Sequence, residues 1–338
     1  MPSFVTATVS EVLVERPGLQ RVSTDAGRAY VLTDLVGPVA AGDRVVLNTT
    51  AVEMSLGTGG WHVVHWNLAR DAWSQPGAGH IMKLRYTSLQ ANTGAAEELH
   101  ADLPADLDGL PVVAATLHSQ VGVVAAVLRH LRPGASIAYV MTEGAALPLA
   151  LSDLVADLRD RKVLDTTITA GHAFGGDLEA VSVPSALALA RHVAGADVVI
   201  VGMGPGVVGT GSALGTTAVE VAAVLDTVDA LGGLGALCVR ASEADGRDRH
   251  RGISHHVHTV LGLVRSHPIV PVPPALLGEA RSLGDAALVE VVDGPAVGAL
   301  LDGMGLRITS MGRGPADDPL FFAAAGAAAG WAAARIPA

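Results

Sequence analysis

The chain has 338 residues, a formal net charge of −11, 50% hydrophobic residues and only 16% charged ones. It is long enough for two domains and too apolar for a disordered chain. The acidic balance and the presence of only two lysines argue against phosphate-backbone binding, so no nucleic-acid partner is expected.

Residues 1–75 read as a small β domain. Alternation in FVTATVSEVLVE, QRVSTD, AYVLTDLV, RVVLNTTAVE and WHVVHWNL predicts five short strands. Turn signals at Pro17-Gly18, Asp25-Ala26-Gly27 and Gly42-Asp43 separate them and suggest an SH3-like or OB-like barrel. The stretch lacks the basic and aromatic mixture with which such barrels hold oligonucleotides. Trp61, Trp66 and Trp73 are therefore expected to cap the barrel or dock it on the next domain. Residues 76–110 form a connection. Pro76-Gly77-Ala78-Gly79 breaks the chain, and HIMKLRYTSLQ predicts one further strand on which His80, Lys83 and Arg85 make a solvated cationic face.

From 111 to 338 the pattern becomes strand–helix alternation. Strand-like runs fall at 112–117, 136–141, 164–169, 197–201, 235–240, 269–272, 287–292 and 307–310. Helical periodicity fills 120–131, 146–159, 183–194, 216–231, 254–265, 294–303 and 319–334. Near-continuous Val/Ile/Leu strands between helices predict a doubly wound, mostly parallel, Rossmann-like α/β domain. Cys238 lies in one such run and reads as a small buried hydrophobe. No signal peptide is visible, and 109–128, 198–219 and 318–335 are too polar, too glycine-rich or too short to span a bilayer. A cytoplasmic location and no membrane partner follow as expectations. The tail FFAAAGAAAGWAAAR fits a subunit interface, and hence a homo-oligomer, or an intrachain packing helix.

In such sheets ligands bind outside the carboxyl ends of the strands. The polar residues there are His118 after the first strand, Glu143 after the second, His172 and Asp177 after the third, and Glu243 and Asp245 after the fifth. The fourth strand breaks into Gly202, Gly204, Gly206, Gly209, Gly211 and Gly215, with Ser212 and Thr216 as hydroxyl donors, before the helix expected from 216. A dinucleotide fingerprint fits only out of register: Gly202-x-Gly204 meets Val207 in third place, and Gly204-x-Gly206-x-x-Gly209 starts two residues late. The loop reads as a cradle of backbone N–H groups for a phosphate or carboxylate, or as glycines that permit close helix–strand packing.

In GRDRHRGISHHVHT, Arg249 and Arg251 are candidates to clamp an anionic group. His255, His256 and His258 do not share one helix face, and no H-E-x-x-H pattern or further cysteine accompanies them, so no metal is expected. Neither Ser119 nor Ser212 lies in a G-x-S-x-G elbow, which disfavours a hydrolase triad. Glu143, His172, Asp177, Glu243 and Asp245 are the acid/base candidates, and a carboxylate cluster among them is one option. His118, the glycines from 202 to 211, Ser212, Thr216, Arg249 and Arg251 are the ligand-binding candidates.

Several segments together resemble a known family: GHIMKLRYTSLQ (79–90), TEGAALPLALSDL (142–154), TAGHAFGGDLEAVSVPSAL (169–187), GMGPGVVGTGSALGTTAVE (202–220) and SEADGRDRHRGISHHVHT (242–259). They resemble a bacterial, largely actinobacterial family of uncharacterised proteins known as a conserved domain of unknown function. The resemblance implies a bacterial source and transfers no activity, cofactor or catalytic residue. The expectation is therefore a protein that binds, with turnover left open, a small anionic metabolite or nucleotide around 202–215. The other reading is a non-catalytic interaction or regulatory protein whose glycine loop is structural.

Overall fold

The computed structural model describes residues 1–56, 58–77 and 79–337. Ala78, one of the residues expected to break the chain, lies outside the described residues. The chain forms two compact units, Met1–Gly94 and Ala95–Ala338.

The first unit contains β1 (Phe4–Arg16), β2 (Leu19–Thr24), β3 (Gly27–Leu32), α1 (Thr33–Val36), β4 (Arg44–Asn48), α2 (Thr50–Glu53) and β5 (Trp61–Asn67). The five strands close into a barrel in the order β1-β2-β3-β5-β4. β3 and β5 run parallel, which gives the Greek-key closure of an OB-type barrel. Closure depends on the length of β1. Phe4–Thr8 pairs with β4 and Val9–Arg16 with β2, and register shifts bend the strand between partners. The alternating inward residues Val22, Ala29, Val31, Val45, Leu47 and Val64 fill the interior.

Outside the barrel, Tyr30 stacks on Trp61 with centroids 5.1 Å apart. Arg28 lies 4.6 Å over Trp61 and Arg21 lies 5.5 Å from the Tyr30 ring. The barrel therefore does carry a basic–aromatic cluster, contrary to the reading of its sequence. Its four residues meet only across β2, β3 and β5 and are scattered along the chain. Trp73 packs against Arg70 at 5.1 Å. HIMKLRYTSLQ is not a strand. Only β6 (Met82–Lys83) pairs, with β7 (Ala91–Asn92), because left-handed backbone at Leu84 (φ 54°) and Tyr86 (φ 63°) ends the extension. Lys83 is 1% exposed, so no solvated cationic face forms there.

The second unit runs β8 (Pro111–Ala115), α3 (His118–Leu131), β9 (Ile137–Thr142), α4 (Asp153–Asp160), β10 (Thr166–Ala170), β11 (Leu178–Ala180), α5 (Val183–His192) and β12 (Val198–Met203). It continues with α6 (Glu220–Ala230), β13 (Leu234–Cys238), β14 (Ala241–Ser242), β15 (Gly252–Ile253), α7 (His255–Leu263), β16 (Ile269–Val272), α8 (Leu277–Ala280), β17 (Leu288–Val291), α9 (Val297–Met304) and α10 (Pro319–Ala333). Eight strands form one sheet in the order β11-β10-β9-β12-β8-β13-β16-β17, and the pairings are parallel. Helices α3, α4, α9 and α10 cover one face and α5 to α8 the other. This is a Rossmann-like α/β fold.

Several local expectations differ from the structure, among them the helix over 146–159, which begins only at Asp153. The run 307–310 makes only an isolated bridge from Ser310 to Arg313, so it is a turn at the sheet's rim. The helix expected from 216 starts at Glu220 after a 3₁₀ turn. The short edge strand β11 was not anticipated. The Ala/Gly-rich tail is the core helix α10, buried all round. A Cβ on Gly326 would stand 2.9 Å from Val297 and one on Gly330 3.0 Å from Val292, so these glycines set a close intrachain approach. Among the described residues no helix is long and apolar enough to cross a membrane.

The central strand β8 leads through α3 to β9 on one side, whereas its neighbour β12 leads through α6 to β13 on the other. Connections that diverge from adjacent strands leave a crevice at their carboxyl ends.

Candidate functional site

That crevice encloses about 760 Å³. It is bordered by Leu117–Ser119 at the start of α3, by the loop after β12, by the segment after β13, by Arg307–Met311 and by Asp153 and Asp157 of α4. The loop glycines divide by role. A Cβ on Gly202 would stand 3.2 Å from Ala115 O and from Val121, and one on Gly204 would stand 2.5 Å from Ala146 O. These two serve packing. Gly206, at φ +103°, and Gly209 border the crevice with Thr210. Gly211 and Ser212 form the exposed loop tip, where Ser212 Oγ binds Thr210 Oγ1 at 2.9 Å and accepts from Gly215 N. Thr216 Oγ1 accepts from Ala218 N and caps the next turn.

The wall after β13 is cationic. Arg240, only 7% exposed, continues directly from the apolar strand and reaches the crevice. Its charge survives at neutral pH, although burial lowers its pKa to about 10. Beneath it lies Asp245, 3% exposed. Arg247 donates to both carboxylate oxygens at 2.9 Å, and Arg240 and Arg313 stand 3.6 and 3.5 Å away. The hydrogen bonds from Arg247 hold this carboxyl well below the usual range. It is a permanent anion within a clamp of arginines and not a proton carrier, so its nomination as a catalytic acid/base is corrected. Asp318 repeats the device, accepting from Ser242 Oγ at 2.6 Å, Glu243 N at 3.1 Å and Arg313 Nε at 3.2 Å.

The nominated arginines separate. Arg251 Nε donates to Asp245 O at 3.0 Å and so braces the loop. Arg249 and Arg307 line the crevice and, among the described residues, make no hydrogen bond or ion pair. His118 borders the crevice with both ring nitrogens engaged, Nδ1 at 3.1 Å from Met203 O and Nε2 at 2.6 Å from Ser152 Oγ. Burial pushes its pKa down to about 4, so it is a neutral strut at the mouth of the site. His250, His255 and His256 meet with ring nitrogens within 4.8 Å of one another. The histidines singled out from sequence were 255, 256 and 258. His258 is exposed on α7, and the turn before the helix folds His250 back in its place.

The acid/base candidates do not converge. Glu143 lines a second crevice of about 340 Å³ beside Glu220, which sequence reasoning missed, and accepts from His172 N at 2.6 Å. Burial raises the Glu220 pKa, while a hydrogen bond from Thr142 opposes the rise and the Glu143 charge adds to it. Asp177 accepts from Thr167 N and Oγ1 at 2.8 Å and pairs with Arg159, so it pins β10 to α4. Glu243 is exposed with its amide on Asp318. No single carboxylate cluster unites the five. Arg240, Arg247, Arg307 and His256 were also absent from the expected site. The one usable signal was an arginine closing the apolar strand run LCVR.

An open crevice at the strand ends of a parallel sheet, walled by arginines, places this unit among Rossmann-like domains with a polar strand-edge cavity. The chain belongs to the family described as protein of unknown function (DUF3866), whose model matches residues 28–329. Comparison with curated proteins and with solved structures found no match.

Proposed function

We propose that the protein binds a small anionic, nucleotide-sized metabolite in the crevice between β8, β12 and β13. The observation that carries this reading is the concentration of Arg240, Arg247, Arg249 and Arg307 around one cavity in a chain whose net charge is −11. Asp245 and the bordering Asp153 and Asp157 offset part of that charge, and Arg249 and Arg307 are uncommitted among the described residues. Guanidinium groups held around a cavity favour carboxylates and phosphates, which accept two hydrogen bonds from one fork. A volume near 760 Å³ lies in the range of small-molecule sites. The crevice is open and carries charged side chains on a partly apolar lining, which favours ligand binding over a purely structural glycine loop.

A thermal-shift panel of nucleotides, sugar phosphates and carboxylates tests the reading. A ligand at 100 times its dissociation constant stabilises the fold by about 2.7 kcal/mol. The expected outcome is a reproducible shift with one anionic class that disappears in Gly206→Val, which puts a branched residue at φ +103° in the loop bordering the crevice. A panel without response, or a shift indifferent to Gly206→Val, rejects the site.

A further inference from the structure

The cluster of His250, His255 and His256 has the outline of a three-imidazole cation site, with ring nitrogens within 4.8 Å of one another. The protons argue otherwise. Arg240 NH1 lies 3.3 Å from His256 Nδ1. A guanidinium has only N–H donors, so Nδ1 is the acceptor and the single proton of the neutral ring sits on Nε2. A protonated Nε2 has no lone pair for a metal. The surroundings agree, because the charges of Arg240, Arg249 and Arg247 all bear on the His256 ring and oppose further positive charge. Burial, with those charges, keeps His256 neutral down to about pH 4.

His256 is 4% exposed, yet its Nε2 faces the glycine loop. A Cβ on Gly209 would stand 3.6 Å from that atom, so the glycine leaves the space before the N–H clear. Around this corner stand the buried Arg240, the uncommitted Arg249 and the Thr210 hydroxyl. Donors from several directions suit a group with three terminal oxygens better than a planar carboxylate with two.

We infer that the corner formed by Arg240, Arg249, His256 Nε2–H and Gly209 is an oxyanion subsite that receives a terminal phosphoryl group. This rests on the reading of the crevice as an anion-binding site and gives the ligand an orientation. The phosphoryl end lies at the His256 corner, and the remainder extends towards Arg307 and α4.

The test is calorimetric titration of the full chain with inorganic phosphate and, separately, with zinc chloride. Arg249→Met alters an exposed side chain without a partner among the described residues, and His256→Leu removes the buried donor. Phosphate binding weakened at least about tenfold by each variant, with Arg281→Met, an exposed arginine outside the crevice lining, within about threefold of the parent, is the expected result. Stoichiometric zinc binding abolished by His256→Leu overturns the subsite in favour of a metal site. Phosphate binding that responds to Arg307→Met but not to Arg249→Met overturns the orientation and leaves the crevice reading standing. No phosphate binding also overturns the subsite, and the crevice reading falls with it only if the wider anion panel is silent too.

Discussion

Asp245 shows how a single buried carboxylate organises the site. Three arginines converge on it, and two of them, Arg240 and Arg247, also face the crevice. Asp245→Asn keeps the shape and removes the charge, leaving the buried Arg240 with no carboxylate partner among the described residues and only its contact to His256. Loss of one partner of a buried pair costs about 3–5 kcal/mol, and urea unfolding should show destabilisation of that order; a change below about 1 kcal/mol would mean that solvent already screens the pair. His118 provides a second residue-level expectation. Its pKa falls from 6.5 to about 4 on burial, so the unfolded chain takes up a proton first as pH drops. The protein should therefore be insensitive to this group above about pH 7 and lose stability between pH 6.5 and about 4, by on the order of 3 kcal/mol. His118→Gln should flatten that slope in unfolding measurements across the same range. An unchanged slope would assign the acid sensitivity to His250 and His256, whose pKa values burial also lowers.

At the scale of elements, the loop after β12 joins two tasks that its glycines keep apart. Gly204 lies where a Cβ would press on Ala146 O at 2.5 Å, so Gly204→Ala should destabilise the fold by roughly 1–3 kcal/mol in chemical denaturation. A Cβ on Gly209 would make only ordinary contacts, 3.5 Å from Thr216 Oγ1 and 3.6 Å from the His256 ring, so Gly209→Ala should cost little stability and reduce ligand affinity. Equal stability losses in the two variants would show that the loop is uniformly packed. The strands and most helices of the second unit were legible because a sheet buried on both faces leaves unbroken apolar runs, as in Val198–Val201. The turn at 307–310 was misread because its apolar alternation packs Ile308 inward without a strand partner. The arginine clamp was legible only in Arg240, which closes the strand run LCVR. Arg313 and Asp245 are 68 residues apart, and only the fold of the rim brings them together.

For the whole molecule, charge is the informative quantity. The first unit carries as many Lys and Arg as Asp and Glu, seven of each, so the net negative charge resides in the second unit. That unit nevertheless gathers four arginines at one crevice. On the proposed reading, a local positive site in an acidic body attracts small anions while the rest of the surface repels polyanions. Sequence order placed the polar residues at strand ends, where the crevice lies. It did not reveal the lining, because Arg251 is exposed and tied to its own loop, Asp245 is buried under arginines, and Arg240 and Arg307 border the cavity.

The most direct test of the central claim removes the two uncommitted charges together. Arg249→Met/Arg307→Met breaks no bond within the described fold, so circular dichroism should be unchanged. Calorimetric titration with the anion that gives the largest thermal shift should show affinity reduced by about a hundredfold or more, since each charged hydrogen bond is worth about 1.5–3 kcal/mol. Affinity within threefold of the parent, with the fold intact, would contradict an anion site in this crevice.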